Sequence, residues 1–270
     1  MADDPLNDFT PGSYTDSIGE GGGGLTYTTY TKGDGPVIVV CTEIPGITPK
    51  VAEFARMLVD RGYRVVMPSL FGTDGRERSL PYLVKSLGRA CISSEFNTFF
   101  LRQNSPAAEW VRSLARHLHA EHGGPGVGVI GMCLTGNFAL AAMADEAVLA
   151  PVLSQPSLPF ALSKKHGLDL GIDDETLVTI RRRVHDDGVC VLGMRFTGDR
   201  AVPPARFERL REELGNGFIA VEIDSSKGNA HGISKVAHSV VTEDLVNEPG
   251  HPTQDALHQV FDFFDERLKV

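Results

Sequence analysis

Three groups of residues in this chain could do chemistry together. They are a glycine-flanked cysteine, Gly131-Met132-Cys133-Leu134-Thr135-Gly136, an acidic turn, Gly198-Asp199-Arg200-Ala201-Val202-Pro203, and two late histidines, His231 and His238. Small residues on both sides of the cysteine suit a tight strand-to-helix turn, which lifts a nucleophile above a sheet and aims it at a helix N-terminus. There the helix dipole and free N–H groups favour a thiolate and a developing oxyanion. An acid in a turn after a strand can orient an imidazole and stabilise its cation. Taken singly, each group has a plainer explanation: a buried free cysteine, a Gly-Asp turn, a surface histidine. Together, Cys133, Asp199 and a histidine within residues 225–247 follow the order nucleophile, acid, histidine, each just after an apolar run. That ordered set points to nucleophilic acyl transfer.

The elements that must position these residues are legible as alternating patterns. Residues 37–41, 63–67, 127–130, 148–153, 189–196 and 218–223 are short apolar runs of the kind buried on both faces of a parallel sheet. Between them, helical patterns cover 51–60, two or three pieces of 79–122, then 134–143, 173–186, 203–214 and 253–268. Residues 25–31, rich in Thr and Tyr, read as an edge strand. Residues 1–24 read as a flexible arm ending in the run Gly21 to Gly24, and residues 25–270 as a single doubly wound α/β domain. Gly126-Val127-Gly128-Val129-Ile130-Gly131 formally matches a dinucleotide fingerprint. Its first glycines fall before or inside the strand rather than after it, so no dinucleotide site is expected.

Composition narrows the function classes. With 41% hydrophobic and 23% charged residues the chain can bury a large core. A net charge of −9 argues against nucleic acid, which needs clustered Lys and Arg. No run of some 18 apolar residues predicts a membrane span, and no basic, then apolar, leader opens the chain. The four cysteines show no CxxC spacing, so neither a disulfide framework nor a zinc site is expected, and a reducing cytoplasm fits best.

The chain resembles the dienelactone hydrolase family, whose elbow carries cysteine in a Gly-x-Cys-x-Gly-Gly setting. That family's acid lies in a Gly-x-x-Asp-x-x-Val-Pro-like turn, and its histidine often precedes Ser or Gly. The similarity extends to Thr42-Glu43-Ile44-Pro45-Gly46 and Pro68-Ser69-Leu70-Phe71-Gly72, and covers roughly residues 25–268. It implies an α/β-hydrolase fold, with a mostly parallel central sheet and helices on both faces. It also implies that Glu43 hydrogen-bonds the resting Cys133 thiol and aids its ionisation, and that the N–H groups of Ile44 and Leu134 form an oxyanion hole. Loop reach from the last strand favours His231, in Asn229-Ala230-His231-Gly232. The setting Ala237-His238-Ser239-Val240 and its distance from the closing helix resemble the family more closely, so His238 is preferred and His231 is its rival.

Two departures bear on substrate. Thr135 stands where the family has glycine, and the family's substrate-clamping arginines have no clear counterparts. Arg76, Arg78 and Arg89 lie in the right segment without aligning. The expected reaction is hydrolysis of a small-molecule ester or lactone through an acyl-thioester, with neither metal nor organic cofactor. Its rivals are a non-hydrolytic binding or redox-sensing protein on the same fold and a hydrolase of another acyl bond, such as a thioester or peptide.

Overall fold

The computed structural model describes residues 4–16, 24–93, 95–96, 104–158 and 167–269. Its strands are β1 (Thr10–Thr15), β2 (Thr26–Lys32), β3 (Val37–Cys41), β4 (Arg64–Pro68), β5 (Val127–Met132), β6 (Val148–Ser154), β7 (Val191–Phe196) and β8 (Phe218–Ile223). The helices are α1 (Pro49–Asp60), α2 (Leu80–Ile92), α3 (Pro106–His122), α4 (Gly136–Ala142), α5 (Asp174–Asp186), α6 (Pro204–Leu214) and α7 (Pro252–Leu268). One eight-stranded sheet has the order β1-β2-β4-β3-β5-β6-β7-β8. β2 is antiparallel to both β1 and β4, and the remaining pairings are parallel.

Local chemistry explains where the helices begin. Thr48 accepts the Val51 N–H at 3.3 Å ahead of Pro49, and Ser105 accepts the Ala108 N–H at 3.1 Å ahead of Pro106. A capping oxygen followed by proline satisfies one orphan donor and removes another. The alternation of side chains along the strands then divides the core. Val37, Val39 and Cys41 of β3 join a layer with α3, α4, α5 and α6, while Ile38 and Val40 join a layer with α1 and α7. The same division holds in β5, with Val127 and Val129 on one side and Ile130 and Met132 on the other. This is an α/β-hydrolase architecture, with its sheet covered on both faces.

The segment expected to be a loose arm is in part structured. β1 pairs along β2, Tyr14 packs its ring edge-on to Trp110 of α3, and its hydroxyl lies 2.7 Å from Ser113 Oγ. Leu6 and Phe9 are buried, and Asp8 pairs with Arg56 of α1. β2 is therefore an interior strand and β1 the edge. Pro11 fits within β1 because one row of an edge strand's N–H groups has no partner strand. The glycines at 21–23 lie outside the described residues. Among the described residues, no helix is long and apolar enough to cross a membrane.

Candidate active site

Strand register brings the candidate residues to one edge of the sheet. Cys41 of β3 pairs with Gly131 of β5, so Ile44 and Leu134, each three residues further on, follow neighbouring strand ends. Ser154 of β6 pairs with Met132 and with Met194 of β7, and Phe196 of β7 pairs with Ile223 of β8. Cys133, Asp199 and the segment after Ile223 thus emerge at carboxyl ends of parallel strands, where sites gather in such sheets.

The elbow is built by exclusion of side chains. Cys133 has φ 56°, a left-handed conformation that a non-glycine residue adopts only under constraint. A Cβ on Gly131 would lie 2.0 Å from the Thr135 carbonyl oxygen, and one on Gly136 would lie 2.7 Å from Pro156 Cα. Both glycines are required for space. A single tight turn, Cys133–Thr135, leads from β5 into α4.

Thr135 does more than tighten this turn. Its fully buried hydroxyl accepts the Met132 N–H at 2.8 Å and donates to the Cys41 carbonyl at 2.8 Å. It therefore ties the elbow to the end of β3, just before Glu43 and Ile44. Thr135→Val keeps the shape but strands buried partners, an effect of about 1–3 kcal/mol. Urea unfolding of the variant is expected to show that loss; an unchanged midpoint would refute the stitching role.

Asp199, three residues beyond β7, is 8% exposed, and its Oδ2 lies 2.6 Å from His238 Nδ1. Its Oδ1 accepts the Ala201 N–H at 2.9 Å, which fixes the carboxylate plane. The Cys133 sulfur also acts on His238, so the three side chains belong to one interacting group. Burial opposes charge on this imidazole, but the Cys133 sulfur and Asp199 outweigh it and hold the His238 pKa well above the ordinary 6.5. The folded-state value lies above that of the unfolded chain. Its contribution to stability is therefore complete below about pH 6.5 and is lost as pH rises through the folded value. Ring-proton NMR is expected to follow His238 losing its proton at higher pH than a free histidine. Asp199→Asn removes one of the two raising influences, so that titration should move down; an upward move or none would contradict the assignment.

The loop carrying His238 is held at two points. The Asp244 carboxylate accepts the His238 and Ser239 N–H groups at 2.8 and 2.9 Å. The buried Glu43 carboxylate accepts the hydroxyls of Ser239 at 2.6 Å and Thr242 at 2.5 Å. Glu43 was expected to hold the Cys133 thiol; here it holds the histidine loop, and the sulfur instead lies 2.9 Å from Ser157 Oγ. Two hydroxyls within four residues of His238 already occupy both Glu43 oxygens. His231 is exposed, with its ring 5.4 Å from that of His251. Arg76, Arg78 and Arg89 are also exposed, and Arg76 stacks over Tyr82.

Sequence reasoning passed over Ser157, Gln155 and Arg206, which lie in Ser154-Gln155-Pro156-Ser157 and at the start of α6. Neither stretch matches a catalytic pattern. The one available signal was position, since Ser157 directly follows a central parallel strand.

Comparison with known proteins bears on the family and the fold. The family model for the dienelactone hydrolase family matches residues 24–268. A Saccharomyces cerevisiae protein named "Putative carboxymethylenebutenolidase" is 22% identical over 251 residues, spanning 89% of this chain and 84% of its own. Among solved structures, a "Putative Dienelactone Hydrolase" from Klebsiella pneumoniae superposes with TM-score 0.59 at 18% identity, covering 96% of this chain and 100% of the other. A dienelactone hydrolase from Anabaena variabilis gives TM-score 0.55 at 16% identity, covering 96% and 99%. The chain belongs to the dienelactone hydrolase family, carboxylic ester hydrolases on the α/β-hydrolase fold.

Proposed function

We propose that the protein hydrolyses a small-molecule ester or lactone through a Cys133–His238–Asp199 triad and an acyl-thioester on Cys133. The observation that carries this reading is the left-handed Cys133 at φ 56°, whose sulfur interacts with a histidine that Asp199 holds at 2.6 Å. A strained nucleophile joined to an oriented base is the arrangement acyl transfer needs. Cys133 attacks the carbonyl carbon, and the negative charge moves to the carbonyl oxygen. The N–H groups of Ile44 and Leu134, three residues past a paired register position, are assigned to receive it. His238, protonated on taking the thiol proton, gives a proton to the departing alcohol. It then removes one from the water that hydrolyses the thioester. Glu43 acts at a distance by fixing the loop that carries His238.

The route uses protein side chains, backbone N–H groups and water. A thiol nucleophile works only while reduced, which favours a reducing compartment such as the cytoplasm. The acidic net charge supports a small-molecule substrate over nucleic acid. Incubation with a slow chromogenic ester, followed by rapid acid quench and mass spectrometry, tests the covalent step. An acyl group on the peptide containing Cys133 is expected. Turnover without any such adduct, or an adduct on another residue, would remove this mechanism.

A further inference from the structure

A hydroxyl outside the triad touches the reacting sulfur. Ser157, 6% exposed, places its Oγ 2.9 Å from Cys133 Sγ. We propose that Ser157 is a further catalytic residue, whose hydroxyl donates a hydrogen bond to Cys133 and holds it as an oriented thiolate. The proposal rests on the reading of Cys133 as the nucleophile.

The segment that carries Ser157 is determined from several sides. The Ser157 N–H donates to the Cys133 carbonyl at 2.9 Å. Asn137 Nδ2 donates to the carbonyls of both Ser157 and Leu134, each at 3.2 Å. Pro156 occupies the space a side chain on Gly136 would need, and its carbonyl accepts from buried Arg206 at 2.8 Å. Gln155 sits in the left-handed region at φ 38°. Its N–H donates to the Met194 carbonyl at 2.9 Å, and its side-chain oxygen accepts the Val240 N–H at 3.2 Å. A left-handed glutamine and a buried guanidinium are costly choices for a mere connection, and strain of this kind collects where geometry must be held. What it holds is a hydroxyl against the nucleophile.

Charge decides the direction of the bond. In the proposed reaction Cys133 attacks as a thiolate once His238 has taken its proton, and a thiolate has no proton to give. Ser157 is therefore the donor, in a charge-assisted hydrogen bond. The hydroxyl exchanges no proton during the reaction: the thiol proton passes to His238 and later to the leaving group. As sulfur attacks and loses its charge, the bond from Ser157 weakens. Ser157 thus raises the thiolate fraction and sets its direction, at some cost in intrinsic nucleophilicity.

Alkylation of Cys133 by iodoacetamide, followed across pH on the full chain and assigned by mass spectrometry, tests this without any ester. The other charged groups that interact with the sulfur or with its histidine, His238, Asp199 and Arg206, are unchanged in the variants. In Ser157→Ala the acid limb of the profile is expected to move up by about one pH unit, with alkylation near its foot slowed about tenfold. The high-pH plateau should be equal or higher, and Ser157→Thr, which keeps the hydroxyl, should restore the parental limb. A parental profile in Ser157→Ala, or the same fractional loss at every pH, overturns the proposal. If Ser157→Ala fails to fold, Ser157→Cys, a weaker donor of similar size, must show the same direction of shift. Failure of the parent to turn over any ester would count against hydrolysis alone, since the alkylation profile is read separately.

Discussion

Cys133→Ala is expected to lower ester turnover by at least about 10⁴-fold, about 5 kcal/mol of lost transition-state stabilisation. Removing the nucleophile leaves only binding and the oxyanion donors, which by themselves give a small residual rate. Cys133→Ser is expected to be nearly as inactive, because a hydroxyl ionises far less readily than a thiol in the same place. A third variant separates catalysis from architecture. Cys133 holds φ 56°, so Cys133→Gly should remove backbone strain while deleting the thiol. Its thermal midpoint is expected to be no lower than the parent's although its activity is gone. A cysteine kept for packing would give the reverse pattern, reduced stability with turnover intact, and that result in Cys133→Ala would falsify the assignment.

His238→Ala is expected to cost about 10³–10⁵-fold in kcat, with a smaller change in KM. In the proposed mechanism the base is needed twice, once to take the thiol proton and once to activate water, so both acylation and deacylation should suffer. His231→Ala serves as the internal control and should stay within about twofold of the parent, because the exposed His231 ring meets His251 rather than Asp199. Equal losses in both variants, or a loss confined to His231→Ala, would reverse the assignment of the base. The dependence on Asp199 gives a second reading of the same site. Asp199→Asn should lower kcat and bring the alkaline limb of the activity profile down, since the imidazolium that protonates the leaving group is then lost at lower pH.

These expectations came from different depths of information. The strand–helix order, the elbow at Cys133 and the acid turn at Asp199 were legible in the chain because each is a local pattern. Apolar periodicity forces a buried run, glycine allows a tight turn, and an acid after a strand sits at a sheet edge. The first strand was not legible: Thr10–Thr15 has no apolar alternation, and its stability comes from pairing with β2 and from Tyr14 meeting α3. Propensity cannot see a partner that lies about a hundred residues away.

The catalytic partners show the same boundary more sharply. The sequence by itself determined that a thiol, an acid and a late histidine stand in the order an acyl-transfer enzyme uses. Only the tertiary structure decided which histidine meets Asp199, because that depends on how a long loop folds, and the Asp244 and Glu43 carboxylates hold that loop with His238 inward. It likewise turned Glu43 from the thiol to the loop, and brought Ser157 to the sulfur. Hydrogen bonds between residues nearly two hundred positions apart leave no periodicity in the chain. They exist because parallel strands of fixed register bring distant carboxyl ends to one edge.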